Sequence, residues 1–191
     1  CEYFNDQKWI TSGTTRDRNK KVNPNIELIE YDPNQGKVYL SESLASSKIL
    51  LISIAPDEDG DVVLKSNYED IANALKTSVK RVIYLSTTAV YGDANGSTVD
   101  EKYKINPQSD RAKSRILAES QWTDLCDKFG VTLNILRLSG IYGTGRNQIR
   151  NLINGTAKRI IKEGHVFNRI HVADIARIIY MLSAVSYTHL R

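Results

Sequence analysis

The stretch RVIYLSTTAVYGD, Arg81 to Asp93, opens with an apolar run through Leu85, the pattern of a strand covered on both faces. It then releases Ser86, Thr87 and Thr88, followed by the phenol of Tyr91 and by Gly92. Such residues serve turns, because hydroxyls bond nearby backbone and glycine tolerates positive φ. Strand ends in α/β proteins are also where ligands are held.

Working outward, KILLISI (Lys48 to Ile54) reads as a second strand covered on both faces, and IELIEY (Ile26 to Tyr31) as a third. WITSGTT (Trp9 to Thr15) is a short strand after a helical stub, Cys1 to Gln7. Ile71, Leu75 and Val79 give Asn67 to Val79 helical spacing. Ala112 to Phe129 is the clearest helix, closed by Gly130. VTLNILRL (Val131 to Leu138) returns as a strand, and Ala173 to Val185 is a final amphipathic helix. Ile160 to Phe167 suggests a hairpin, while Asp93 to Asp110 is a polar connection long enough to be functional. Strands alternating with helices predict right-handed βαβ units in a doubly wound α/β parallel sheet.

At 191 residues, with 41% apolar and 25% charged residues, the chain can build one core and is not a disordered polymer. Its net charge of +4 is scattered, with one knot at Arg16 to Lys21 that no aromatic residue interleaves. That distribution suits a solvated surface or a small anionic ligand and argues against nucleic acid. Cys1 and Cys126 form no disulfide framework, which suits a reducing cytoplasm. The histidines lack metal-ligand spacing, no run is long and apolar enough for a membrane helix, and no signal peptide opens the chain.

A doubly wound sheet makes dinucleotide binding the first function to test, through a GxGxxG loop after the first strand. That loop is absent. Gly143-Thr144-Gly145 is the nearest approach, but Gln148 occupies the third glycine position and the strand-loop-helix context fails. The expectation is that the first strand and glycine loop precede Cys1 in a longer reading frame, the stub being the end of the phosphate-binding helix.

SGTTR (Ser12 to Arg16), ISIAP (Ile52 to Pro56), YLSTTAVYGD (Tyr84 to Asp93), LRLSGIYGTGR (Leu136 to Arg146) and RIHVADIA (Arg169 to Ala176) then fall into one register. Together they resemble the extended short-chain dehydrogenase/reductase superfamily, especially its atypical, NAD-dependent epimerase/dehydratase-like branch. The resemblance runs from about Tyr3 to Met181 and implies an NAD(P)-binding Rossmann domain over residues 1–185, with the start of a substrate lobe. It implies that Thr87 is the catalytic hydroxyl, bonding a substrate carbonyl or alcohol. Ser53, Ile54, Ala55 and Pro56 would line the adenosine and pyrophosphate side of the cofactor, with Ser86 also near it. Ser139, Gly140 and Ile141 would lie near the nicotinamide, and Tyr142-Gly143 at the substrate mouth. A short strand giving way to a helix is implied at Arg169 to Asp174, with Asp174 as N-cap. A homodimer through the long helix is an expectation of the resemblance alone.

Cofactor choice turns on the strand end at Thr15 and Arg16. A carboxylate there suits the ribose of NAD, whereas an arginine suits the 2′-phosphate of NADP. Arg16 favours NADP, with NAD as the alternative. The superfamily's Tyr-xxx-Lys pair is not present: counting back from Glu119, Arg115 stands at the lysine position and Arg111 at the tyrosine position. Arg115 can still hold ribose hydroxyls, but a guanidinium does not release a proton near neutrality. Tyr91 is then the alternative catalytic phenol, needing a cation such as Arg111 or Arg115 nearby. The open readings are an oxidoreductase or epimerase acting on a small hydroxy or keto substrate, a non-catalytic NADP-binding redox sensor or scaffold, and, weakest, a cofactor-regulated nucleic-acid binder. Ser186 to Arg191 breaks the helix pattern and reads as a non-native tail.

Overall fold

The computed structural model describes residues 2–17, 19, 22–33, 40–158, 161 and 166–184. The expected tail at 186–191, Arg18, His165 and most of the expected hairpin at 160–167 lie outside the described residues. In chain order the elements are α1 (Glu2–Asp6), β1 (Thr11–Thr15), β2 (Ile26–Glu30), α2 (Ser41–Ala45), β3 (Ile49–Ile52), α3 (Val62–Thr77) and β4 (Arg81–Thr87). After a 3₁₀ turn (Thr88–Tyr91) come α4 (Asp110–Phe129), β5 (Thr132–Leu138), β6 (Gly140–Tyr142), α5 (Gln148–Ile153), β7 (Arg169–His171) and α6 (Val172–Ala184).

Among the described residues every strand pair is parallel: β1 with β2, β3 with β4, β4 with β5, and β6 with β7. The β4 sequence explains why. Val82 and Tyr84 enter a core cluster with Ile71 and Leu75 of α3 and Trp122 and Leu125 of α4. Ile83 and Leu85 face the opposite way, toward Ile175 and Ile179 of α6 and Phe4 of α1. A strand with apolar residues on both faces is stable only between two helical layers, so alternation here separates two cores. Tyr3, Phe4 and Trp9 meet Tyr180 edge-on at 5.7 to 6.2 Å and so fasten the first helix to the last. Among the described residues no helix is long and apolar enough to cross a membrane.

Several expectations shift. The helix expected at Asn67 starts at Val62, because Asp61 caps it by accepting from the amides of Val63 and Leu64. Asn67 instead marks a kink, with φ −132° and ψ 31°. Ser86 and Thr87, expected beyond the strand, complete β4. β3 is not covered on both sides along its length: Leu51 is 43% exposed. Among the described residues its only ladder partner is β4. Asp174 does not cap α6; it lies in the first turn and pairs with Arg177 at 3.4 Å. His171 serves that end, its Nδ1 accepting from the Ala173 amide at 3.2 Å.

The connection after β4 is latched at one point. Gly92 has φ 71° and ψ −149°, a conformation open essentially to glycine alone. A Cβ there would collide with the Asn106 carbonyl oxygen, while the Asn106 amide donates to the Val90 carbonyl at 2.9 Å. Gly130, the αL cap of α4 at φ 64°, has nothing within 4 Å of where a Cβ would stand. Gly92→Ala is therefore expected to lower stability by at least about 2 kcal/mol and Gly130→Ala by only about 1 kcal/mol. Urea denaturation of the two variants checks the order; equal losses would contradict the latch.

Candidate functional site

Ser86 of β4 and Arg137 of β5 are register partners, and neighbouring positions on parallel strands present side chains to one face. That face is covered by α4, which brings Glu119 against both. The Ser86 hydroxyl donates to Glu119 Oε1. Arg137 donates to the same carboxylate through Nε at 3.2 and 3.3 Å and through Nη2 at 2.7 Å. Glu119 is 4% exposed, so this is a buried ion pair whose lone pairs are met by hydrogen bonds. Hydrogen bonding to Glu119, opposed by burial, holds the Arg137 guanidinium above its already high ordinary value.

Arg137 also reaches Tyr91. Its Nη1 donates to the phenol oxygen at 3.0 Å, and its guanidinium lies 5.1 Å from the ring centroid. Tyr103 from the polar connection meets the same ring edge-on at 6.2 Å. The cation beside Tyr91 is thus Arg137, not Arg111 or Arg115. Tyr91 is 7% exposed, and among the described residues no hydrogen bond joins it to Thr87. The Thr87 side chain caps the 3₁₀ turn, accepting from the Ala89 amide at 3.2 Å. That contact uses a lone pair and leaves the hydroxyl proton available.

Arg115 bends back onto β4. Its Nη1 donates to the Tyr84 hydroxyl and to the Leu85 carbonyl, each at 3.0 Å. Burial pushes Tyr84 up to about 12 despite the Arg115 charge, which acts to lower it. Arg115, Arg111 and Ser114 form one wall of a cleft of about 220 Å³, with Ala55, Pro56, Asp57 and Glu58 opposite. Asp57 lies 3.7 Å from Lys65, and Asp110, also in the lining, pairs with Lys113 at 3.0 Å. The expected cofactor residues Ala55, Pro56 and Arg115 are therefore brought together at the C-terminal end of β3, beside the unexpected Arg111.

The other expected residues lie as follows. Ser53 is exposed and Ile54 packs partly against the larger core. Ser139 is half-buried, and Ile141 packs into the second core. Gly140 lies under the Arg169 guanidinium, where a Cβ would collide. Tyr142 rests edge-on against His171 at 5.0 Å. Gly143 and Arg146 form a tight bridge, so Gly143-Thr144-Gly145 is a turn rather than a phosphate loop. Thr15 ends β1, and Thr15 Oγ1 accepts from the Asp17 amide at 3.1 Å. Arg16, next along, lies 3.7 Å from Asp32, which follows β2.

Sequence reasoning missed Arg137 and Asp32 and used Glu119 only as a marker. For Glu119 and Arg137 a signal existed: Glu119 falls at helical spacing with the buried Trp122 and Cys126, and Arg137 stands among the apolar residues of β5, where a charge needs a partner. No local signal pairs Arg16 with Asp32, since the register of two strands brings them together.

A family model described as NAD dependent epimerase/dehydratase family matches residues 59–186. The chain belongs to that family. It is 32% identical over 146 residues to Protein YeeZ of Escherichia coli (strain K12), covering 74% of this chain and 50% of YeeZ. It spans about half the length of the curated relatives it matches. A functionally unknown conserved protein from Silicibacter pomeroyi DSS superimposes with a TM-score of 0.75 at 37% identity, covering 93% of this chain and 61% of that one. UDP-glucuronic acid 4-epimerase from Bacillus cereus, solved with UDP-glucuronic acid and NAD, gives a TM-score of 0.65 at 18% identity. That match covers 86% of this chain and 58% of the epimerase, and shares its fold. The epimerase/dehydratase fold accounts for the parallel sheet and for a cleft at the strand ends.

Two outcomes follow from the buried groups. Glu119→Ala leaves the partly buried Arg137 guanidinium and the Ser86 hydroxyl without their shared acceptor and is expected to lower stability by about 1.5–3 kcal/mol. Tyr91→Phe loses one charge-assisted hydrogen bond and is expected to lower it by about 1.5–3 kcal/mol. Urea denaturation measures both, and a near-neutral Glu119→Ala would show that the pair holds nothing in place.

Burial pushes Tyr31, like Tyr84, up to about 12 from 10.0. The stability these phenols contribute is fully present below pH 10.0 and is lost as pH rises through about 12. Each contributes a slope of about 1.4 kcal/mol per pH unit in that window. The folding free energy of Tyr84→Phe, followed from pH 8 upward, is expected to fall less steeply than that of the parent.

Proposed function

We propose that this chain carries the nicotinamide-nucleotide half of an oxidoreductase or epimerase acting on a small hydroxy or keto substrate. The observation that carries the reading is the cleft at the C-terminal end of β3, where Ala55 and Pro56 face Arg111, Ser114 and Arg115. In open α/β sheets that edge is where ligands are bound. Family membership and the NAD bound by the Bacillus cereus epimerase support the same reading.

On this reading the residues present would serve the two ends of a dinucleotide. Arg16, at the end of β1, suits the 2′-phosphate of NADP, and Ala55 and Pro56 offer a small wall for the nucleotide to cross. Arg115 suits the nicotinamide ribose, although its Nη1 is committed to β4. No glycine-rich diphosphate cradle is among them. A bound nicotinamide supplies hydride transfer; the chain supplies orientation and proton handling. Thr87 would donate its free hydroxyl proton to a substrate oxygen. Tyr91 would serve as proton donor: its oxygen accepts from Arg137, which leaves its own O–H to give.

A second reading, a non-catalytic NADP-binding sensor, is favoured by Arg111. It occupies the position of the family's phenol, lines the cleft, and has no hydrogen-bond or ion-pair partner among the described residues. The full-length protein decides between them. Reduced-nicotinamide absorbance would be followed across a carbonyl panel, with a separate product assay for epimerised nucleotide sugars. The enzyme reading expects turnover that falls about 100-fold or more in Thr87→Val and Tyr91→Phe. Cofactor binding with no oxidation and no epimer would reject it in favour of the sensor.

A further inference from the structure

The two walls of the cleft at the end of β3 are tied to one helix. Residues 57–60 close a tight turn, in which Asp57 and Gly60 exchange backbone hydrogen bonds at 2.9 and 3.2 Å. Gln121 of α4 clasps the end of that turn. Its Oε1 accepts from the Asp61 amide at 2.7 Å, and its Nε2 donates to the Asp59 carbonyl at 3.1 Å. Gly60 lies so close to the Gln121 side chain that a Cβ would collide with it. The backbone of Glu58 is therefore held at a set distance from Arg111 and Ser114, which α4 carries on the opposite wall.

The charges lining the cleft divide into committed and uncommitted. Asp57 lies 3.7 Å from Lys65 and accepts from the Asp59 amide at 2.9 Å. Asp110 pairs with Lys113 at 3.0 Å, and Arg115 donates to Tyr84 and Leu85. Arg111 and Glu58 are exposed members of the lining, and among the described residues neither side chain has a hydrogen-bond or ion-pair partner. They do not pair with each other across the cleft. Arg111 also stands one helical turn, about 6 Å along the axis, before the half-buried Arg115, so it is the outer of the two guanidiniums.

Arg111 and Glu58 ask for complementary chemistry. A guanidinium fork binds a carboxylate or phosphate through paired N–H donors, whereas a carboxylate only accepts and so takes a hydroxyl. We propose, resting on the oxidoreductase or epimerase reading above, that Arg111 and Glu58 form a substrate site for a small hydroxylated anion. Its carboxylate or phosphate rests on Arg111 with the Ser114 hydroxyl beside it, and its own hydroxyl donates to Glu58. Glu58 repels an anion that offers no donor, so the pair selects for both groups at once. The cleft, about 220 Å³ in all, keeps the ligand small.

Calorimetric titration of the full-length protein, with and without saturating NADPH, tests the site. The probes are lactate and glycerol phosphate, their uncharged counterparts lactamide and glycerol, and propanoate and propyl phosphate, which lack the hydroxyl. At least one hydroxylated anion is expected to bind about ten-fold or more tightly than its uncharged counterpart, and the arm that binds tells carboxylate from phosphate. Arg111→Gln should weaken that anion about ten- to hundred-fold, the scale of a lost charge-assisted hydrogen bond, and leave NADPH affinity within about two-fold. Glu58→Ala should bring the affinities for the hydroxylated and hydroxyl-free anions within about two-fold of each other. Lys113→Gln, which removes a surface cation outside the lining, should change anion binding by less than about two-fold. Equal binding of anions and uncharged counterparts, or an equal loss in Lys113→Gln, overturns the site. Arg111→Gln weakening NADPH as much as the anion makes Arg111 a cofactor contact and also overturns it. A parent that binds NADPH but none of the anions overturns the site and leaves the cofactor reading standing. A parent that takes up the anion through Arg111 but binds neither NADPH nor NADH overturns the cofactor reading and upholds the anion site alone.

Discussion

The buried pair of Glu119 and Arg137 is the constraint on which the site depends. It joins the middle of α4 to β5, takes in the Ser86 hydroxyl from β4, and continues to the phenol of Tyr91. An ion pair at this depth contributes little net stability over a well-packed apolar alternative. What it supplies is registration: three elements meet in one arrangement that satisfies every charge. A Lys at 137 would keep the charge but lose the fork that engages Nε and Nη2 on one carboxylate and Nη1 on the phenol. Tyr91 therefore has its place fixed from below by the core, while Tyr103 approaches it from the surface connection.

The layered fold was legible because its signal is local and repeated. Arg81 to Leu85 could be read as doubly covered from its apolar run, and β4 does divide Val82 and Tyr84 from Ile83 and Leu85. Where the reading slipped, a short-range polar group had overruled hydrophobic period. Asp61 starts α3 before the apolar spacing becomes regular, and Asn67, which looked like a helix start, breaks the helix it lies in. α5 was not anticipated because six residues give less than two turns for a period to show, although Ile149, Leu152 and Ile153 fall on one face and stand exposed.

The site was less legible than the fold. Thr87, Ala55, Pro56 and Arg115 were picked out by motif as candidates, but what each side chain touches depends on tertiary register. Arg115 was expected to reach outward and instead donates to Tyr84 and Leu85. Ser86 was expected near cofactor and bonds Glu119 beneath the sheet. The cation for Tyr91 was sought on α4, one helix away, and comes from the neighbouring strand. Charges at core periodicity are a readable warning that a partner exists, but sequence alone does not say which.

The latch at Gly92 has a consequence for how such a protein changes over generations. Because the polar connection is tied down at Asn106 and by the ring of Tyr103, the segment between Asp93 and Asp100 can lengthen, shorten or change charge without disturbing β4 or the ion pair beneath it. Changes in that segment then fall on the surface connection while the strand and its ion pair stay as they are, and one glycine marks the boundary between the two.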